Sequence, residues 1–532
     1  MPPTRVFVTL ASLAAAATLV RLGLLEQLIG GIVDAAVRNI ITLILAFSAL
    51  VSLLGWFLFQ SGHSGRLKRG VAVGLLAAVG LACAVLRIER VSGDLVPEFM
   101  FRWSPSRDRT LPKAATTATA TAGAWAATPG DFSRFLGPAG AAAIDGPAID
   151  PDWAGRPPEQ LWRRPIGAGW SGFVTCGDHA VTLEQRGEEE VVSCQSATTG
   201  DVEWTVAVPA RNQTVLGGSG PRSTPTIADG VVYATGATGW LHAIDGATGR
   251  VLWKKNILAD LGIDPDAHAA AVAWGRSGSP LVTAGLVIVP AGGPRKDGSA
   301  VSLVAYDRTT GERRWTGGGE QISYVSPQLA HVAGRDVVLT VNESNVAGHD
   351  PADGAELWRF DWPGHSNSDA TCSQANLLGD GRIFLSKGYG IGAAVFAADA
   401  AEPPAFAAVW RQPSVLKTKF TNVTTHDGHA YGLSDGILEC VALADGTRRW
   451  KGGRYGQGQV LRAGAFLIVQ AESGEVVLVD CVPQRHVVRA RLAALDGQTW
   501  NNPCLSGDRL LVRNAEEAAG YRLPLAASEP AP

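Results

Sequence analysis

The chain has 532 residues, 46% of them hydrophobic and 18% charged, and its 46 basic and 49 acidic side chains leave a formal net charge of −3. It is too long for one ordinary domain and apolar enough for a substantial core, and its balanced charge excludes a strongly basic nucleic-acid binder and a long acidic tail. Its 63 Gly and 30 Pro argue against an all-helical protein, while 16 Trp beside 7 Tyr point to Trp at a fixed position of a repeated unit.

The first hundred residues read as a membrane region of about three helices. Residues 40–59, IITLILAFSALVSLLGWFLF, are uncharged over the ~20 residues needed to cross hydrocarbon, and residues 70–86 are a second uncharged run. A third run, 6–20, is bounded by Arg5 and Arg21. It reads either as a span with Arg21 snorkelling at its end or as the apolar stretch of a signal peptide, with small residues at 14–17. The two runs close behind favour a span, so spans are placed at 6–25, 40–59 and 70–86. Arg66, Lys68 and Arg69 occupy the loop between the last two runs with no acid beside them. The positive-inside rule keeps that loop and Arg5 in the cytoplasm, so everything after the third span is extracytoplasmic. Residues 101–130, rich in Ala, Thr and Pro, read as a flexible linker.

After residue 150 one pattern recurs: SATTGDVEW ending at Trp204, AIDGATGRVLW at Trp253, AYDRTTGERRW at Trp315, HDPADGAELW at Trp358 and VALADGTRRW at Trp450. PPEQLW at Trp162 and FAAVW at Trp410 are degenerate copies, giving Trp spacings of 42, 49, 62, 43, 52 and 40. That period is the size of a propeller blade, and each unit supplies about four short alternating strands with tight Gly turns. One blade cannot bury both faces of its sheet, whereas a ring can. Counting through 524 predicts an all-β, eight-bladed β-propeller over 131–524, closed by the segment near Leu161 and Arg164, with residues 525–532 as a disordered tail. Seven blades is the alternative if the 62-residue interval is misread.

The AxDxxTGxxxW repeat resembles the tryptophan-docking motif of the pyrroloquinoline-quinone (PQQ) repeat propellers, over about 157–524. That superfamily holds quinoprotein alcohol dehydrogenases and a non-enzymatic lipoprotein of the outer-membrane β-barrel assembly machinery. More narrowly, DFSRFLGPAG (131–140), GWSGF (169–173), EQRGEEEVV (184–192), KTKFTNVTTHDGHAYGLSDGILEC (417–440) and GGRYGQGQV (452–460) resemble a membrane-anchored, planctomycete- or acidobacterial-type group of PQQ-like propellers of unassigned activity.

In a propeller, the loops leading into the innermost strands line the channel mouth. Repeat by repeat, they carry the cations Arg222, Arg276, Lys419 and Arg454, one acid, Asp369, and two aromatic residues, Trp170 and Trp500. Such a mouth suits an anion: Arg matches carboxylates bidentately and an aromatic face matches a planar ligand such as PQQ. The competing reading makes these residues solvated loop ends, with Ser, Thr and Asn as turn formers. The dehydrogenase resemblance implies an adjacent Cys pair over the cofactor, a calcium or lanthanide ion held by Glu, Asn and Asp, a catalytic Asp and a Trp floor. The seven Cys are scattered with no adjacent pair, no CxxC and no CxxCH; they read as small buried residues, with one or two disulfides open and unassigned. Asp369, Glu320, Asn422, Asn501 and Asn502 form no recognisable ligand string, and the His at 268, 331, 349, 365, 426, 429 and 486 lack metal-ligand spacing.

The expectation is a monomeric scaffold or binding module in the bacterial inner membrane, with its N-terminus cytoplasmic and its propeller periplasmic. It would take envelope proteins or an anionic ligand through its loops, without catalysis, cofactor, metal or nucleic acid. The alternative is a quinoprotein alcohol or sugar dehydrogenase using PQQ with calcium, or a degenerate PQQ binder.

Overall fold

A computed structural model describes residues 2–22, 24, 35–114, 125–214 and 216–526. It divides into two units, Met1–Ser106 with Val215–Gly218, and Arg107–Thr214 with Ser219–Pro532. Among the described residues of the first unit, three helices are long and apolar enough to cross a membrane: α1 (Thr4–Arg21), α2 (Ala35–Gly55), continued by a wider turn to Gln60, and α3 (Gly65–Val85), with mean hydropathies of 1.3, 2.3 and 1.7. Ser64 caps α3 by accepting from the Leu67 N–H. The helix therefore starts ahead of the uncharged run, and Arg66, Lys68 and Arg69 sit on its first turns instead of in a loop. A hairpin of Leu86–Val91 and Pro97–Phe101, not expected from the sequence, follows α3 directly.

The second unit is an eight-bladed propeller. Blade 1 pairs Val174–Cys176, His179–Arg186, Glu189–Ser196 and Val202–Pro209 in simple antiparallel order, from the inner to the outer strand. Blades 2 to 7 repeat this from Thr226, Leu281, Gln328, Asn376, Val423 and Gln459. Blade 8 has three strands from Cys504–Ser506 to Glu517–Arg522, and Glu159–Pro165 completes it from the other end of the domain. The 62-residue Trp interval is a single blade whose lead-in loop holds two short helices, α4 (Ile257–Leu261) and α5 (Pro265–Ala271). That insert is why seven blades is not the outcome.

The repeat motif is a lock between neighbours. The indole N–H of Trp162 donates to Ala197 O at 2.9 Å, Trp204 to Gly246 O at 2.7 Å, Trp253 to Arg308 O at 3.0 Å, Trp410 to Leu443 O at 2.8 Å and Trp450 to Val482 O at 2.9 Å, each acceptor lying in the last turn of the next blade. For Trp162, Trp204, Trp253 and Trp410 the ring also lies over the motif Gly of that turn, Gly200, Gly249, Gly311 and Gly446. At Gly249 φ is +68°, and an added Cβ would come within 2.8 Å of Trp204. Only Gly meets both demands, the left-handed backbone and the close ring. Every outer strand also carries a β-bulge just before the Trp position. The bulged residue is Leu161, Leu252, Leu357 or Val409 in four blades, Arg314, Arg449 or Arg489 in three, and Glu203 in blade 1.

Two parts of the expected linker are packed on the propeller, a correction to its reading as a free tether; residues 115–124 within it lie outside the described residues. Arg211 pairs with the buried Asp108 at 2.7 Å, and Arg107 pairs with Glu516. Trp125 is buried at the other end of the blades, stacked on His179. The chain then crosses the base of the channel. Phe132 N–H donates to Thr175 Oγ1 at 2.9 Å in blade 1, and Arg134 and Phe135 share a cavity of 50 Å³ with the inner strands of blades 2 to 5. Ala143–Ile144 then adds to blade 7 in parallel. Of the expected tail, Leu525 bridges Ile149 and Ala526 N–H donates to Ala148 O, while 527–532 lie outside the described residues.

Candidate functional site: the channel mouth

The inner strands are short, and their leading N–H groups have no ladder partner on the channel side. A polar side chain from the next blade satisfies each in turn. Gly172 N–H donates to Thr224 Oγ1 (3.0 Å), Thr224 to Ser279 Oγ (2.9 Å), Ser279 to Ser326 Oγ (2.9 Å) and Ser326 to Gln374 Oε1 (3.2 Å). Gln374 N–H then donates to Asn422 Oδ1 (3.0 Å) and Asn422 to Gln459 Oε1 (3.2 Å). The Gln459 amide donates to Trp500 O (3.0 Å), and the Asn501 amide donates to Gly169 O (3.1 Å) and Ser171 O (2.8 Å), closing the belt from blade 8 to blade 1. These Ser, Thr, Asn and Gln residues, read from sequence as turn formers, hold the blades together around the axis.

Two residues before the belt, the chain builds the mouth. On one side Trp500 packs against Trp170, with ring centroids 4.7 Å apart and planes tilted 40°, and against Phe420 at 4.6 Å and 53°. The Trp500 indole N–H donates to Glu472 Oε1 at 2.9 Å, and Glu472 Oε2 accepts the Gln457 N–H at 2.9 Å. The Gln457 side chain is fully buried, and among the described residues neither its oxygen nor its nitrogen has a hydrogen-bond partner. On the other side Arg222 faces Tyr324 and Glu190, and burial lowers its pKa to about 10 against their opposing pull. The Tyr324 hydroxyl accepts the Trp274 N–H at 3.1 Å and donates to Ser366 O at 2.7 Å. Burial pushes the Glu190 carboxyl up to about 7, although it accepts the Ala237 N–H at 2.9 Å and feels Arg222.

Of the six residues expected at the mouth, the structure brings Trp170 and Trp500 together and sets Arg222 in the same layer. Arg276 is 2% exposed and turns into its own blade, donating to Ala291 O at 2.5 Å and to Pro290 O. Lys419 is also buried, its stem running beside Gly388 of blade 5. Arg454 is exposed at the end of the outer strand of blade 6 and donates to Asp435 O at 3.4 Å. In extended chain successive side chains point opposite ways. Ser277 and Phe420 hold the mouth positions, so Arg276 and Lys419 beside them face away from it, Arg276 into its own blade and Lys419 toward blade 5. Tyr324, at the centre of the expected entry loop ISYVSP, is not among the six, and Phe420 and Gln457 are passed over within theirs; the signal that finds them is a fixed two-residue offset from the belt.

The carboxylates nearest the mouth are engaged: Glu472 by Gln457 and Trp500, Glu190 by Ala237, and Asp369 by Lys387 Nζ at 3.1 Å. A 320 Å³ cleft lies at the rim instead, between Arg107–Leu111 and blade 8, and its charged walls pair with one another through Arg107–Glu516 and Arg163–Glu517.

The repeat family PQQ_2, described as outer membrane protein assembly factor BamB, matches residues 157–272 and 188–452, more than half of the chain. The chain belongs to the PQQ_2 family. This propeller is 30% identical over 150 residues to quinohemoprotein alcohol dehydrogenase ADH-IIG of Pseudomonas putida, a match covering 26% of this chain and 19% of that relative. The chain thus spans about a fifth of the length of that curated relative. Among solved structures, the PQQ_2 fold resembles quinohemoprotein alcohol dehydrogenase from Comamonas testosteroni, with a TM-score of 0.53 and 13% identity over 77% of this chain and 82% of that one. BamB from Moraxella catarrhalis aligns with a TM-score of 0.49 and 14% identity over 69% of this chain and all of that one.

Proposed function

We propose that this PQQ_2 propeller is a monomeric, non-catalytic binding module of the bacterial envelope. Its apolar helices anchor it in the inner membrane with the N-terminus in the cytoplasm, and its propeller stands in the periplasm. There the mouth-side loops recruit envelope proteins. The basic cluster at Arg66, Lys68 and Arg69 supports the orientation, and the family's description as an assembly factor supports protein partners.

The observation that carries this reading is the filling of the mouth. Trp170, Trp500 and Phe420 pack on one another where a planar cofactor would stack. A calcium-type ion beside a quinone needs several open oxygen ligands, and Glu472, Glu190 and Asp369 are already engaged. The residues present do not fit a quinone with its metal. The sequence match to a quinohemoprotein alcohol dehydrogenase keeps the PQQ-dependent reading as the competitor. For a small anionic ligand, Arg222 with Trp170 and Trp500 is the part of the expected site that shares one layer, while Arg276, Lys419 and Arg454 would act only at a distance.

The test is titration of the full chain in detergent with PQQ and calcium, following quinone absorbance and the fluorescence of the mouth Trp residues. The expected outcome is no saturable change. Stoichiometric quenching that is lost in Arg222→Glu would overturn the reading and move redox chemistry ahead.

A further inference from the structure

Blade 1 differs from the other seven at its bulge. Cys194, on the third strand, lies opposite Trp204. Opposite the docking Trp stand Ala243, Ala305 and Gly348 in blades 2 to 4 and Val395 in blade 5, so the position takes a small or compact apolar residue. Packing alone accounts for a Cys there. It does not account for what surrounds the Cys. The bulged residue is Glu203 where the other blades have Leu, Val or Arg, and the second strand begins with His179. The His179 Nδ1 lies 2.7 Å from Glu203 Oε2, and the Cys194 thiol donates to the same oxygen at 3.3 Å. All three atoms fall within 4.8 Å of one another, the one such group of three His, Cys, Asp or Glu among the described residues.

We propose that His179 Nδ1, Cys194 Sγ and Glu203 Oε2 bind one zinc-class divalent cation, leaving a fourth position for water. Three features fit. A cation about 2.0–2.3 Å from each atom holds its ligands about 3.3–3.7 Å apart; Cys194 and Glu203 stand at 3.3 Å, His179 and Glu203 are closer at 2.7 Å and would part slightly on binding, and all three atoms lie within 4.8 Å. The ligand set joins a thiolate, an imidazole and a carboxylate, a combination suited to zinc. On binding, the Cys194 thiol loses its proton to solvent, and the thiolate and carboxylate together cancel the charge of the ion. A neutral centre is what a half-enclosed site tolerates: Cys194 is fully buried, while the His179 and Glu203 side chains are 21% and 15% exposed. The Trp125 ring, 4.5 Å from His179 and within 10° of parallel, covers one side and fixes the imidazole.

The protein holds its own negative control. In blade 6, His429 and Cys440 occupy the positions of His179 and Cys194, paired with Ala442 and Trp450 as those two pair with Ser196 and Trp204. The bulged residue there is Arg449, whose charge repels a cation. Glu203 is therefore the residue that makes the site.

The full chain in detergent, under reducing conditions, is titrated with Co²⁺ while the thiolate-to-cobalt charge-transfer band is followed in the near ultraviolet, and then with Zn²⁺ as competitor. The expected result is one Co²⁺ per chain, displaced by Zn²⁺. Cys194→Ala, which places the residue of blades 2 and 3 at this position, should abolish the band. Glu203→Gln should weaken binding by more than about 100-fold, beyond the loss typical of an outer-shell partner. Cys440→Ala should leave both unchanged. A band that never forms, that persists in Cys194→Ala, or that disappears in Cys440→Ala would overturn the assignment. Far-ultraviolet circular dichroism of each variant separates loss of the ligand from loss of the fold.

Discussion

Trp204 shows how much one side chain can decide in a repeat. It is 1% exposed, its indole N–H is satisfied by the neighbouring blade, and its ring lies over Gly249. Trp204→Ala should cost about 3–5 kcal/mol, the range for emptying a large aromatic site, read as a lowered midpoint in urea unfolding. Gly249→Ala should destabilise through both backbone strain and the clash with the ring. In the double variant the clash is gone, so the two losses should fall short of additive. Strict additivity would mean that the ring and the turn do not act as one unit. The same scale explains why cations were misread at the mouth. A shift of one position along extended chain turns a side chain away from the channel, so Arg276 and Lys419 contribute to packing.

At the scale of elements, closure is the decisive event. Glu159–Pro165 pairs with Glu517–Arg522, and Arg163 bridges to Glu517 and Asp496 at 2.7 and 2.8 Å. Replacing 159–165 with a Gly/Ser segment of equal length removes the Trp162 lock and bares the edge of blade 8. The expected outcome is a loss of at least the ~3–5 kcal/mol of one docked Trp, with association through the open edge seen as early-eluting species in size-exclusion chromatography. A monodisperse, equally stable product would show that the ring does not depend on its clasp. The segment at the base of the channel is a second element whose role no local pattern revealed. DFSRFLGPAG is legible as a distinctive string, but its path from blade 1 to blade 7 depends on partners far along the chain, from Thr175, 43 residues from Phe132, to Arg462, which pairs with Ala143.

Across the whole molecule, buried ionisable groups set an acid limit. Burial holds His242 and His268 neutral, with pKa values lowered to about 4 from 6.5. A depressed histidine contributes stability that is full above the unfolded value and is lost as pH falls from about 6.5 through about 4. At about 1.4 kcal/mol per pKa unit, each is worth about 3 kcal/mol. Glu190 works in the opposite sense. Its raised pKa, about 7, makes its contribution greatest in acid and lost as pH rises from about 4.5 through 7. The thermal midpoint should therefore fall between pH 6.5 and 4, less steeply than the two histidines alone dictate. Glu190→Gln should steepen that fall, and His242→Leu should shallow it. Identical pH profiles for all three proteins would remove these groups as the cause.

The chain by itself determined the apolar helices, the all-β propeller, its eight blades and its closure by the N-terminal strand. The reason is that the Trp–Gly lock is local and periodic: each copy carries its own turn, its bulge and the ring that docks next door, so counting copies counts blades. Only the tertiary structure decided which side chains meet. Arg222 shares the mouth with Trp170 and Trp500 while Arg276 and Lys419 do not, because strand register fixes direction. The belt joins one residue from each successive blade lead-in across gaps of 37 to 55 residues. His179, Cys194 and Glu203 converge only because three antiparallel strands and one bulge bring them to the same face.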